Sequence, residues 1–123
     1  MKSIDLLRAC AGFAFAASTL PAVAAPVRAR LDPEVAIARD YVLASCLIKR
    51  YPDTPVAADA QVWAGGLVEQ GHIAADRYAR LAQLAVTEPS AVSRDGAPVP
   101  LLDCMTLYND PKLPGRIARA LRR

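Results

Sequence analysis

The chain has 123 residues, with 15 Lys and Arg against 12 Asp and Glu, one histidine, three cysteines and 54% hydrophobic residues. A formal net charge of +3 is too weak a bias to argue for a nucleic-acid surface. The length suits one small domain with one core, and no apolar run is long enough to cross a bilayer.

The N-terminus reads as a cleavable secretory signal peptide. Lys2 and Arg8 give a positive start, which Asp5 interrupts, and Ala9 to Leu20 form a short apolar stretch. Pro21 and then Ala22-Val23-Ala24 follow, small residues at the two positions that a signal peptidase admits. The expected cut falls after Ala24, giving a leader over 1–24 and a single mature helical domain over 25–123 outside the cytoplasm. Cys10 precedes the apolar run, and Arg8 stands where a lipobox needs a small residue, so no lipid anchor is expected.

Removing Lys2, Arg8 and Asp5 with the leader leaves 13 basic against 11 acidic residues, a net charge of +2. It also leaves two cysteines, Cys46 and Cys104, in an oxidising compartment where disulfides persist. A bridge between them closes a loop of nearly sixty residues and stabilises the fold by roughly 4 kcal/mol in the chain-entropy model. Two free buried thiols are the alternative. With no CxxC spacing and His72 as the one histidine, the pattern makes no zinc motif, and neither a metal nor a cofactor is expected.

Ala25 to Leu31 form a lead-in. Asp32-Pro33-Glu34 then supplies an N-cap acceptor, a proline suited to the first turn and an acid at the positive end of the dipole. The first helix is expected to run to about Arg50, with Ile37, Tyr41, Ala44 and Ile48 on one stripe and Cys46 and Leu47 beside it. Tyr51-Pro52-Asp53 breaks it. Thr54-Pro55 opens a second helix to Gln70, with Val56, Ala60, Trp63 and Leu67 inward, Ala64 beside them and Gly71 as its stop. Gly65-Gly66 implies close approach of a neighbouring helix, since each glycine costs about 1 kcal/mol relative to alanine.

A third helix is expected from Ala74 to Glu88, with Tyr78, Leu81, Ala82 and Ala85 on its face. Pro89 to Pro100 reads as a long irregular connection around Arg94-Asp95-Gly96, and a loop of this length in a small domain tends to be functional or disordered. Leu101 to Tyr108 resumes helical spacing, with Leu101, Cys104 and Tyr108 in line, and Asn109-Asp110-Pro111 ends it. The last helix, Pro114 to Arg123, carries Ile117 and Leu121 against Arg116, Arg119, Arg122 and Arg123. The fold expected is all-α: a small bundle of four or five short helices, pinned by one disulfide between the first and the fourth.

The residues offer little for catalysis. His72 follows a helix-ending glycine, Ser90 and Ser93 lie a helix away from it, and the cysteines are no nucleophiles when bonded. Asp59 and Asp103 read as surface or capping acids. The arginine row of the last helix reads as a solvated face that complements the helix C-terminus. No enzyme is expected. Recognition remains, and its best element is the 89–100 loop, where prolines lower the ordering cost and Ser93, Arg94 and Asp95 offer polar groups. An ordinary exposed connector is the competing reading.

Tyr41-Val42-Leu43-Ala44-Ser45-Cys46-Leu47, Ala58-Asp59-Ala60, Gly65-Gly66-Leu67-Val68-Glu69-Gln70-Gly71 and Leu102-Asp103-Cys104-Met105-Thr106-Leu107-Tyr108-Asn109 together resemble the type VI secretion system amidase immunity proteins. The resemblance runs from about Asp40 to Leu121 and rests on order, spacing and the two cysteines, not on any one motif. It implies a small helical periplasmic homodimer whose partner is a cognate amidase effector, a papain-like cysteine peptidase that cuts peptidoglycan peptides. It further implies inhibition by a protruding loop that occludes the active site, carried here by Ser93, Arg94, Asp95 and Gly96. Family members run longer and more polar before the fourth helix, whereas alanines and prolines flank this loop. The competing reading is a small helical periplasmic acid-stress chaperone, for which His72 and 11 acids supply thin switch chemistry. An inhibitor of a different peptidoglycan hydrolase would share the blocking mechanism.

Overall fold

Each proline that the sequence places behind a capping residue opens a helix. In the computed structural model, which describes residues 31–86 and 91–122, Asp32 caps α1 (Pro33–Arg50) by accepting the Glu34 N–H at 2.9 Å. Thr54 caps α2 (Pro55–Gln70): its Oγ1 accepts the Ala57 N–H at 3.3 Å and donates to the Tyr51 carbonyl at 2.6 Å. Three shorter helices follow: α3 (Ala75–Leu84), α4 (Pro100–Tyr108) and α5 (Leu113–Arg122). The leader 1–24, the lead-in up to Arg30, the expected helix end at Glu88, and Pro89, Ser90 and Arg123 lie outside the described residues.

Helix α1 is the centre of the bundle and packs against all four others, while α3 also packs against α5. Its deepest stripe is Ala38, Val42 and Cys46, each with no exposed surface. That stripe is turned by about one residue from the expected Ile37–Tyr41–Ala44–Ile48 line, of which only Ala44 is fully buried. A helix surrounded by four neighbours has no single inward face, so spacing alone misplaces its centre. Leu81, Leu113 and Ile117 complete the core, each burial stabilising by roughly 1.5–3 kcal/mol.

The cysteines are joined. Cys46 and Cys104 form a disulfide with Cα atoms 5.7 Å apart, closing 58 residues and fastening α1 to α4.

Helix α2 departs most from expectation. Ala57, Ala60, Ala64 and Leu67 face inward, whereas Trp63 and Val56 are 40% and 44% exposed. Alanines bring α2 close to α1, with Val56 and Trp63 left at the edge of the contact and Val62 on the far side. A Cβ at Gly65 or Gly66 would meet nothing within 4 Å, so the expected helix contact there is absent. Gly71 does end α2, but with φ −85° it is not in the left-handed conformation of the usual glycine stop. Its requirement is space: a Cβ there would stand 2.6 Å from the Tyr78 hydroxyl. That hydroxyl donates to the Leu67 carbonyl at 3.4 Å, and the ring meets Tyr41 edge-on at 4.7 Å.

Helix α3 stops at Leu84, earlier than expected. Its last turn tightens through bonds from Ala85 N to Ala82 O and from Val86 N to Gln83 O, and Lys49 Nζ caps the Ala82 carbonyl at 2.8 Å. In α4 the buried residues are Asp103, Cys104 and Leu107, with Leu101 exposed instead. Helix α5 buries Ile117 and Leu121 as its spacing predicts, with Leu113 one turn earlier.

Candidate functional site

The expected irregular loop is an ordered hairpin where it is described. Val92 and Pro98 form an isolated antiparallel bridge, and the Val99 N–H donates to the Ala91 carbonyl at 2.9 Å. The Ser93 N–H donates to Ala97 O at 2.7 Å, and the Gly96 N–H donates to Ser93 O at 2.9 Å. Gly96 has φ +80°, the left-handed conformation that lets a type I turn rejoin its strands, as three-residue hairpin loops commonly do. Ser93 Oγ accepts the Ala97 N–H at 3.1 Å, so this hydroxyl is used in closing the turn. Arg94, Asp95 and Gly96 stand exposed at the tip.

The base of the hairpin is held from below. Asp103 is 6% exposed, and its Oδ1 accepts the Ala91 N–H at 2.8 Å. The Asp103 and Leu102 N–H groups donate in turn to the Val99 carbonyl, so both arms end on the first turn of α4. Asp103, expected as a surface or capping acid, is a buried anchor of the hairpin's first arm. The signal that was available is an acid placed in the first helical turn directly after a proline-rich loop. Asp59 stands exposed on α2.

Helix α4 is itself fixed to α1 at two levels. The disulfide holds its middle. At its end, Arg39 donates from Nε and Nη2 to the Tyr108 carbonyl at 3.0 and 2.7 Å, and its guanidinium lies 4.0 Å from the centre of the Tyr108 ring. The Tyr108 hydroxyl donates to Asp40 Oδ1 at 2.9 Å. Burial and this bond to Asp40 raise the Tyr108 pKa above its ordinary value of 10.0, with Arg39 opposing. The Arg39–Tyr108–Asp40 clamp also escaped the sequence reading, since its members are 69 and 68 residues apart. Leu101, Leu102 and Met105 of α4 lie exposed directly after the hairpin.

These residues make a fixed projection with a cation and an anion at its tip and apolar side chains at its foot. His72 is exposed, the cysteines are bonded, and no group of three His, Cys, Asp or Glu gathers among the described residues.

A family model described as type VI secretion system amidase immunity protein, Tai4, matches residues 36–117, about two thirds of the chain. The chain belongs to this immunity family. The matched span covers nearly all of α1, the hairpin, α4 and the first half of α5, and so includes the disulfide and every anchor of the hairpin. Neither the curated proteins nor the solved structures supply a match. For a member of this family the partner is an amidase effector. No helix among the described residues is long and apolar enough to cross a membrane.

Proposed function

We propose that this immunity protein is exported to the periplasm by its 1–24 leader and works there, through its 25–123 domain, as a blocker. In this reading it inserts the Ser93-Arg94-Asp95-Gly96 tip into the active-site groove of a peptidoglycan-cutting cysteine amidase. The observation that carries the reading is the hairpin itself. It is exposed at the tip, closed by its own hydrogen bonds and tied at its base to buried Asp103. A projection already in its bound shape loses little conformational freedom on docking, which favours tight inhibition. Leu101, Leu102 and Met105 then supply an apolar contact beside the polar tip, the usual mixture at a protein interface.

Periplasmic co-expression with the amidase encoded beside this gene tests the proposal. Cells carrying both proteins survive; lysis as fast as with the amidase alone contradicts it.

The reading includes a homodimer, and the exposed apolar side of α2 is the surface we assign to it. Val62 is 78% exposed, Val56 and Trp63 are also exposed on that side, and the open Gly66 between Val62 and Trp63 leaves room for a second backbone. Sedimentation of Trp63→Glu should then give a monomer with the native helical signal. A dimer that survives this change lies elsewhere.

A further inference from the structure

A second feature lies away from the hairpin. Helices α3 and α5 pack together, and between them Arg80, Gln83, Arg116 and Arg119 line one cleft of about 330 Å³, with Leu84 and Ala120 as its apolar lining. The two helices carry five arginines, Arg77, Arg80, Arg116, Arg119 and Arg122, against one acid, Asp76. An excess of four positive charges therefore sits on two helices of a chain whose net charge is +3. A solvated arginine row on one helix explains Arg119 and Arg122; the cleft also receives Arg80 from α3.

Internal pairing uses only part of this charge. Asp76 pairs with Arg80 one turn away on α3. Asp110 approaches Arg116 no closer than 4.0 Å, and Arg119 has no acidic partner among the described residues. Arg119 therefore leaves net positive charge beside the partly compensated Arg80 and Arg116, and a bound anion offsets it. Guanidinium forks match the two oxygens of a phosphate or carboxylate, and an apolar lining strengthens the attraction by excluding water from one side.

We propose that the α3–α5 cleft is a binding site for a compact oxyanion, a phosphate or carboxylate group, held between Arg116 and Arg119 of α5 and Arg80 of α3, with Gln83 as a neutral donor. The site is separate from the hairpin and does not depend on its role.

Titration of the purified protein with inorganic phosphate at constant ionic strength, followed by the Nε–Hε resonances of its arginines, tests the site. The signals of Arg80, Arg116 and Arg119 should shift and saturate. R116Q/R119Q should bind about tenfold more weakly, as expected when charge-assisted pairs are lost, while R94Q binds as the parent does. Should the double variant lose its helical signal, R119Q alone replaces it, because Arg119 is exposed and unpaired. Co-sedimentation with phosphatidylglycerol vesicles separates the sources. Sedimentation that R119Q abolishes assigns the site to a lipid headgroup, and phosphate binding without sedimentation assigns it to a soluble oxyanion. A linear, unsaturating response, or a folded R116Q/R119Q that binds phosphate as the parent does, overturns the proposal.

Discussion

Helix α1 and the 91–99 hairpin are built on opposite principles. Helix α1 touches every other helix, and its Ala38, Val42 and Cys46 are sealed from solvent. The hairpin buries almost nothing and keeps its shape through its own backbone bonds and one buried carboxylate. Stability is therefore concentrated in α1 and its neighbours, and the recognition proposed above falls to a part whose side chains contribute little to folding. The two regions meet at α4, which is bonded to α1 by the disulfide and carries the hairpin on its first turn. Changes at that junction should affect both properties, and changes at either extreme only one.

The largest effect should follow from breaking the junction. Cys46→Ser with Cys104→Ser reopens a 58-residue loop and should lower the unfolding free energy by about 4 kcal/mol in urea titrations. Inhibition should fall with it, because α4 loses half of its attachment. Gly71→Ala comes next and touches the frame alone. The new Cβ meets the Tyr78 hydroxyl at 2.6 Å, and the overpacking should cost about 2 kcal/mol. The pair Gly71→Ala/Tyr78→Phe should recover part of that loss, since the clashing oxygen is gone. If the single change costs nothing, the contact between α2 and α3 is looser than described. Asp103→Ala leaves the Ala91 N–H without its buried acceptor and should cost about 1–3 kcal/mol. It should weaken inhibition by more than that loss of stability explains, whereas Asp103→Asn, which keeps an acceptor oxygen, should retain most of both.

Those residues also mark what was legible in the sequence. Caps and prolines are local, so Asp32-Pro33 and Thr54-Pro55 place the starts of α1 and α2 from neighbouring residues alone. The cysteine pair is legible for another reason, since the expected loss of Cys10 with the leader leaves only Cys46 and Cys104 to pair. The α5 stripe is legible because that helix has one neighbouring side, whereas α1 has neighbours all round and its spacing is ambiguous. Trp63 shares the expected stripe with Val56, Ala60 and Leu67, but the stripe that packs is turned by one residue to Ala57, Ala60, Ala64 and Leu67, which leaves Trp63 at its edge. In the hairpin, Ser93 to Gly96 marks itself as the tip by its turn residues. Asp103 and the Arg39–Tyr108 clamp do not, because each depends on chain segments that only the fold brings together.

The smallest effect on stability should accompany the largest effect on recognition. Arg94→Ala with Asp95→Ala removes two exposed side chains, so the melting transition should stay within about 0.5 kcal/mol of the parent. The decisive measurement is inhibition of the purified cognate amidase by this variant and by the parent protein. An inhibition constant raised about tenfold or more, the loss of roughly 1.4 kcal/mol or more of binding, is the predicted result. A folded variant that inhibits as well as the parent would contradict the claim that the hairpin tip is what this immunity protein places in the active site.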